Sequence, residues 1–194
     1  MTLRRPGEHG TPAQDVRTDA AFGIKSDVTH PFHLEASMNA LGTIAALTGV
    51  MAAGIIYGTD VFCAIVQRPA LASLDDATVV AVMGRVHQYG DRRLPIPGVI
   101  GILAAAITTV ARAVSGSPAG VITAGIALLA TLAWLSLYLR IAAPVNRALT
   151  AAAIAHVTPV NSRSLQERWE SIITPRALLM AVAVAGLAAS AATS

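Results

Sequence analysis

An aspartate stands inside a stretch of chain otherwise built for a lipid bilayer, and that conflict limits what the sequence can fold into. Residues Ala36 to Thr59 carry no charge, and after Asp60 a second uncharged run reaches Val66 before Gln67 and Arg68. About 20 apolar residues rising 1.5 Å each cross a hydrocarbon core. A carboxylate about two turns inside such a span costs a few kcal/mol in lipid, so Asp60 has to face protein or water. Tyr57 lies one turn before it on the same helix face. Gly54 and Gly58 form a small-xxx-small pair that lets another helix approach closely. Asp60 is therefore read in two ways: as an acid that pairs locally and fixes helix register, or as part of a site at one end of a bundle.

Composition agrees with a membrane chain. Hydrophobic residues make up 54% and charged residues 13%, against about 25% charged in soluble domains. The net charge of +3 comes from arginines beside apolar runs, and no basic run alternates with exposed aromatics. No nucleic-acid partner is expected. Cys63 is the only cysteine, which excludes an intrachain disulfide and cysteine-clustered metal sites.

Residues 1–36 are rich in Pro, Gly, Asp and Arg and read as a flexible polar tail, with His30 and His33 flanking Pro31 in a loop. The tail has no apolar core of signal-peptide type, so the first span is expected to act as the insertion signal. Residues 37–194 read as an all-α, four-helix transmembrane bundle, with spans at about 38–66, 95–113, 120–143 and 175–193. Arg68-Pro69 is expected to end the first span. Ser73 is a candidate N-cap for an amphipathic helix over 74–89, with Val79, Val82, Met83 and Val86 as its apolar stripe and Gly90 as its end. A second short amphipathic segment follows the third span, where Ser164 and Glu167 have capping-box spacing. Its apolar residues Leu165, Trp169, Ile172 and Ile173 recur at helical spacing. Thr174-Pro175 suits the N-cap and first position of the last span.

Four spans put the segments 67–96 and 144–176 on one side of the membrane. That side gathers His87, Tyr89, Asp91, Arg92, Arg93, Arg140, Asn146, Arg147, Glu167, Trp169 and Arg176, with Asp60 approaching from the first span. The other side offers a short turn, Arg112 and the two chain ends. Nine of the fourteen basic residues fall on the crowded side, so the positive-inside rule makes it cytoplasmic.

No His-x-x-x-His or Glu-x-x-His pair occurs in a helix, which argues against a di-iron carboxylate bundle. No metal site is expected, His87 is the best candidate for a single haem ligand, and the sequence leaves the cofactor open. No serine sits in a nucleophile-elbow context. Asp60 can pair with Arg176 or Arg140, with Arg176 first because Thr174-Pro175 fixes where the last span begins. Asp91 with Arg92 and Arg93 reads as an interfacial belt, and Tyr138 and Trp169 as anchors at headgroup depth.

Several segments resemble, in order and spacing, a four-span membrane family that includes the fungal anthrone oxygenases. They are the Gly-x-x-x-Gly segment running into Arg68-Pro69-Ala-Leu, His87-Gln-Tyr89-Gly90 before a proline-led second span, Pro144-Val-Asn146 after the third, and Trp169 followed seven residues later by Arg176. The resemblance covers about residues 40–190. It implies a membrane bundle, a bacterial plasma-membrane location for a chain of this kind, and an oxidoreductase acting on a lipophilic or aromatic substrate; the characterised branch oxidises anthrones to anthraquinones. Asn146, Trp169 and Arg176 match recurrent family positions, while Ile173 stands where a polar residue is commoner. On this basis Asp60 and His87 are the acid/base candidates, and Tyr57, Tyr89, Asn146, Trp169 and Arg176 the substrate-binding candidates. The expected partners are the bilayer and a lipophilic small molecule. A different class of function competes: a non-catalytic subunit or assembly factor of a membrane complex, or a homo-oligomer, docking through the Gly54/Gly58 face.

Overall fold

The computed structural model describes residues 29–193, which are helical throughout apart from short turns. The elements are α1 (Thr29–Phe62), a π-helical segment (Cys63–Gln67), α2 (Arg68–Ala72), α3 (Asp76–Arg93), α4 (Pro95–Val114) and α5 (Pro118–Leu137). A second π-helical segment (Tyr138–Ala142) leads into α6 (Ala143–Ala155), and α7 (Ser162–Glu170) and α8 (Ile173–Ala191) close the chain. Among the described residues there is no strand, and the fold is the expected all-α bundle. The polar tail is shorter than expected: α1 already starts at Thr29, so His30 and His33 are helical rather than in a loop. The rest of that tail, residues 1–28, lies outside the described residues.

Four helical stretches are long and apolar enough to cross a membrane: His33–Ala72, Pro95–Val114, Pro118–Ala155 and Ser162–Ala191. This marks the chain as an integral membrane protein. In the bundle, α1 and α5 each pack against both α4 and α8. The core there is mostly alanine (Ala53, Ala105, Ala127, Ala130 and Ala183), with Ile56, Met180 and Leu187 between. Small side chains let the helices close in. A Cβ on Gly186 would lie 2.7 Å from the Thr123 carbonyl oxygen of α5.

The first and third stretches hold 40 and 38 residues, about 60 Å of helix each, roughly twice the hydrocarbon thickness. They overrun the bilayer at the same end. There α2 and α6, with α3 and α7, build a cap around Leu71, Val79, Val80, Met83, Leu149, Ile172 and Ile173. At the α3–α6 crossing a Cβ on Gly84 would collide with the Ala153 Cβ and the Leu149 carbonyl oxygen, so only glycine fits.

The overrun corrects the expected stop at Arg68-Pro69, and the same geometry carries the third stretch past Pro144. Proline removes a donor and its ring collides with the carbonyl one turn back in an α-helix. Here each proline is preceded by a π-turn, which widens the helix locally. The Arg68 amide donates to the Cys63 carbonyl immediately before Pro69, and the Ala143 amide to the Tyr138 carbonyl immediately before Pro144. Both helices pass their prolines without ending.

Other boundaries differ in detail. Asp75, not Ser73, caps α3, accepting from the Thr78 amide at 3.0 Å and the Thr78 hydroxyl at 2.7 Å. These bonds hold the Asp75 carboxyl below its usual range. Ser73 instead donates to the Ala70 carbonyl at the end of α2. Gly90 does not end α3, which continues to Arg93 and hands over directly to α4 at Pro95. Val82 and Val86 are exposed, and the buried stripe is Val79, Val80, Met83, Gly84 and His87. The Ser164–Glu167 capping box does not form, because α7 starts at Ser162 and Ser164 donates to the Asn161 carbonyl. The last span begins at Ile173, so Thr174 and Pro175 lie in its first turn rather than at its cap. Gly54 and Gly58 face open space, with none of the described helices against them.

Candidate functional site

Where the bundle meets the cap, a cavity of about 180 Å³ opens. Its floor is set by α1, α5 and α8. Asp60 and Arg176, 2% and 7% exposed, meet there, with Arg176 Nη2 donating to Asp60 Oδ1 at 2.9 Å. Trp134 Nε1 donates to the other oxygen, Asp60 Oδ2, also at 2.9 Å. The Arg176 guanidinium lies 5.3 Å from the Trp134 ring and 5.9 Å from the Tyr138 ring. Those two aromatics, one turn apart, are stacked with planes 9° from parallel. The expected pairing of Asp60 with Arg176 is thus present, and Arg140 is exposed. Removing one member of such a buried pair typically costs about 3–5 kcal/mol, because the other charge is left without compensation.

A second polar layer sits toward the cap. Asp91 Oδ1 accepts from the Tyr138 hydroxyl at 2.9 Å and from Asn146 Nδ2 at 2.8 Å. This ties α3 to the second π segment and α6. His87, one turn before Asp91, packs its ring 5.2 Å from that of Trp169 on α7. Burial, and then the charge of Arg176, pushes the His87 imidazole down to about 4, so it is neutral at pH 7. On the remaining wall Cys63 donates to Gln67 Oε1 at 2.8 Å, and Gln67 Nε2 faces Met83 Sδ at 2.7 Å.

The polar groups of this cavity are not all satisfied. Among the described residues, His87 Nε2, Asn146 Oδ1, Trp169 Nε1 and Arg176 Nε are buried without a hydrogen-bond partner, and all four residues line the one cavity. Buried polar groups are paired in the great majority of cases, so a cluster of exceptions asks for an explanation. The other lining residues include Ile56, Val86, Leu94, Val99, Ile102 and Leu135. Val86 and Val99 are about half exposed (47% and 54%), so the cavity reaches the surface between α3 and α4 through an apolar lip.

Of the residues expected at a site, Asp60, His87, Asn146, Trp169 and Arg176 are brought together around this cavity. Tyr57 and Tyr89 are not. Tyr57 is exposed on the outer flank of α1, and Tyr89 is exposed with the Arg93 guanidinium 5.1 Å above its ring. Glu167, also on the crowded side, is exposed and does not line the cavity. Asp91, Trp134 and Tyr138 are site residues that the sequence reading assigned elsewhere or passed over. Trp169, read both as a substrate-binding candidate and as a headgroup anchor, lines the cavity, and so does Tyr138, read as an anchor. Two spacings could have found the missing three: His87 and Asp91, and Trp134 and Tyr138, are both i, i+4 pairs on one helix face.

Comparison with protein-family models, with curated proteins and with solved structures gives no match for this chain.

Proposed function

We propose that the protein binds a lipophilic molecule with a ring system and a carbonyl or hydroxyl group in this cavity, and acts on it as a membrane oxidoreductase of the anthrone-oxygenase-like kind. The observation that carries this reading is the cluster of four buried polar atoms without partners inside a largely apolar cavity. An apolar wall with a few convergent polar groups is the usual form of a small-molecule site. The Nε–H groups of Arg176 and Trp169 are donors suited to a carbonyl oxygen, and to the negative charge that develops on it during enolisation. Asn146, whose amide nitrogen is engaged by Asp91, offers its oxygen to a ligand hydroxyl. Asp60 has both oxygens engaged, so it acts through Arg176 by fixing the guanidinium, and Trp134 holds Asp60 in turn. The apolar lip at Val86 and Val99 suits entry from the lipid phase. The nine basic residues on the capped side favour a cytoplasmic cap in a bacterial plasma membrane.

The test is extraction. Protein purified in mild detergent and extracted with organic solvent should yield a ring-containing lipophilic molecule by mass spectrometry, and Arg176→Gln protein should yield much less. Equal recovery from both would count against the cavity as its seat.

One observation favours a second reading, a non-catalytic subunit or self-associating protein. Among the described residues, nothing lies within 4 Å of a Cβ placed on Gly54 or Gly58 of α1, and Tyr57 beside them is exposed. A stoichiometric protein partner, lost on Gly58→Leu, would support that reading instead.

A further inference from the structure

The cavity holds few groups able to take a proton from a bound molecule. Its titratable lining residues are Asp60, Cys63, His87, Asp91, Tyr138 and Arg176. Asp60 accepts on both oxygens, from Arg176 and Trp134. Cys63 and Tyr138 each donate a hydrogen bond, to Gln67 and to Asp91. His87 is neutral and its unpartnered Nε2 is buried, so a proton taken there would place a second positive charge beside Arg176, away from water. Asp91 differs from all of these. Both of its bonds fall on Oδ1, and among the described residues Oδ2 has no hydrogen-bond partner and no ion pair. It is half-buried, on the cap side of the cavity, where a proton taken from a ligand can pass on to water.

From this arrangement we infer that Asp91 is the proton acceptor of the site, removing a proton from a carbon acid whose carbonyl oxygen is held by Arg176 and Trp169. The inference rests on the proposed function and adds a residue and a step to it. In the step a C–H bond conjugated with the carbonyl breaks, and the proton goes to Asp91 Oδ2. The electron pair delocalises onto the carbonyl oxygen as an enolate, so no oxidant is consumed. Tyr138 and Asn146 hold Asp91 Oδ1, which leaves Oδ2 as the oxygen directed to the ligand. Each of these partners keeps a bond if Asp91 becomes asparagine, since the amide oxygen accepts in place of Oδ1.

Anthrone is a suitable probe, because its methylene protons exchange through the enolate. In deuterated buffer without oxygen, exchange is followed by NMR, and binding by the change in fluorescence of the two tryptophans, which both line the cavity. Wild-type protein should exchange anthrone faster than protein-free micelles. Asp91→Asn should lose about 100-fold or more of that excess while its fluorescence titration stays within about twofold of wild type. If Asp91→Asn does not fold, Asp91→Ala should recover exchange when formate is added. Equal exchange by Asp91→Asn and wild type overturns the inference and leaves the binding site standing. So does bound anthrone that the wild type exchanges no faster than micelles. Absence of any fluorescence change on adding anthrone overturns the binding site itself and the inference with it.

Discussion

The two ends of this bundle each bury an arginine, and they treat it differently. At the capped end Arg176 meets a carboxylate, two aromatic faces and a cavity. At the opposite end Arg112 is fully buried, yet its described partners are neutral: Asn39 Oδ1 at 3.1 Å and the Thr43 hydroxyl at 3.0 Å, both on α1. Around it, the Ser190 hydroxyl donates to the Gly120 carbonyl, and a Cβ on Gly120 would lie 2.9 Å from Arg112 Cδ, so the helices close without space. Arg112 does not line the cavity. A buried cation packed solid between helices fixes their register. A buried cation with an oriented fork beside open volume is available to a ligand. Among the described residues Arg112 Nε is buried without a partner just as Arg176 Nε is, so neither burial of charge nor an unpartnered nitrogen identifies a site alone; burial beside open volume does.

The largest effect should come from the charged pair. Asp60→Asn leaves Arg176 buried without its counter-charge and should cost about 3–5 kcal/mol, read as a lower midpoint of thermal unfolding in detergent. Adding Arg176→Gln should recover part of that loss. Full stability in Asp60→Asn would break the comparison at its start.

Next comes acidification. The folded-state value of His87 is depressed, from 6.5 to about 4. The folded protein therefore binds fewer protons than the unfolded chain between those values, and stability falls as pH drops below 6.5, levelling off below about 4. At 1.4 kcal/mol per unit this amounts to about 3 kcal/mol. Unfolding midpoints measured from pH 7 to pH 4 should show the decline, and His87→Phe should flatten it.

A smaller effect separates packed from open glycines. Gly84→Ala forces a methyl into the α3–α6 crossing and should cost about 1–3 kcal/mol. Gly54→Ala, with no described atom near its Cβ position, should be neutral to stabilising by up to about 1 kcal/mol. Equal effects in detergent would mean that the cap is not closed at Gly84.

How much of this was legible follows from which rules are local. The Asp60–Arg176 pair could be read because an acid inside a span demands a partner and the start of the last span limits the choice. The start of α4 was marked by Pro95, and the crowded side by counting loops. Pro69 was misread because the helix-stop rule assumes α-helical spacing, and a π-turn removes the collision. Asp91 was read as part of a headgroup belt because Arg92 and Arg93 follow it. Its true direction depends on α3 continuing through Gly90, which leaves it one helical turn from His87 on the cavity side. Tyr57 and Tyr89 look like neighbours of the site along the chain. Spacing along a helix cannot tell which flank of a buried residue turns outward, since that is decided by the packing of α4 and α6.

The most direct measurement uses Trp134 and Trp169, the only tryptophans in the chain. Anthraquinone should quench the fluorescence of both single-tryptophan variants, Trp134→Phe and Trp169→Phe, in a saturable titration. Arg176→Gln should weaken that titration by about tenfold or more, the worth of a hydrogen bond to a charged group, while Arg112→Met leaves it unchanged. Quenching that does not saturate, or that responds equally to the two arginine substitutions, would contradict a ligand site at the capped end.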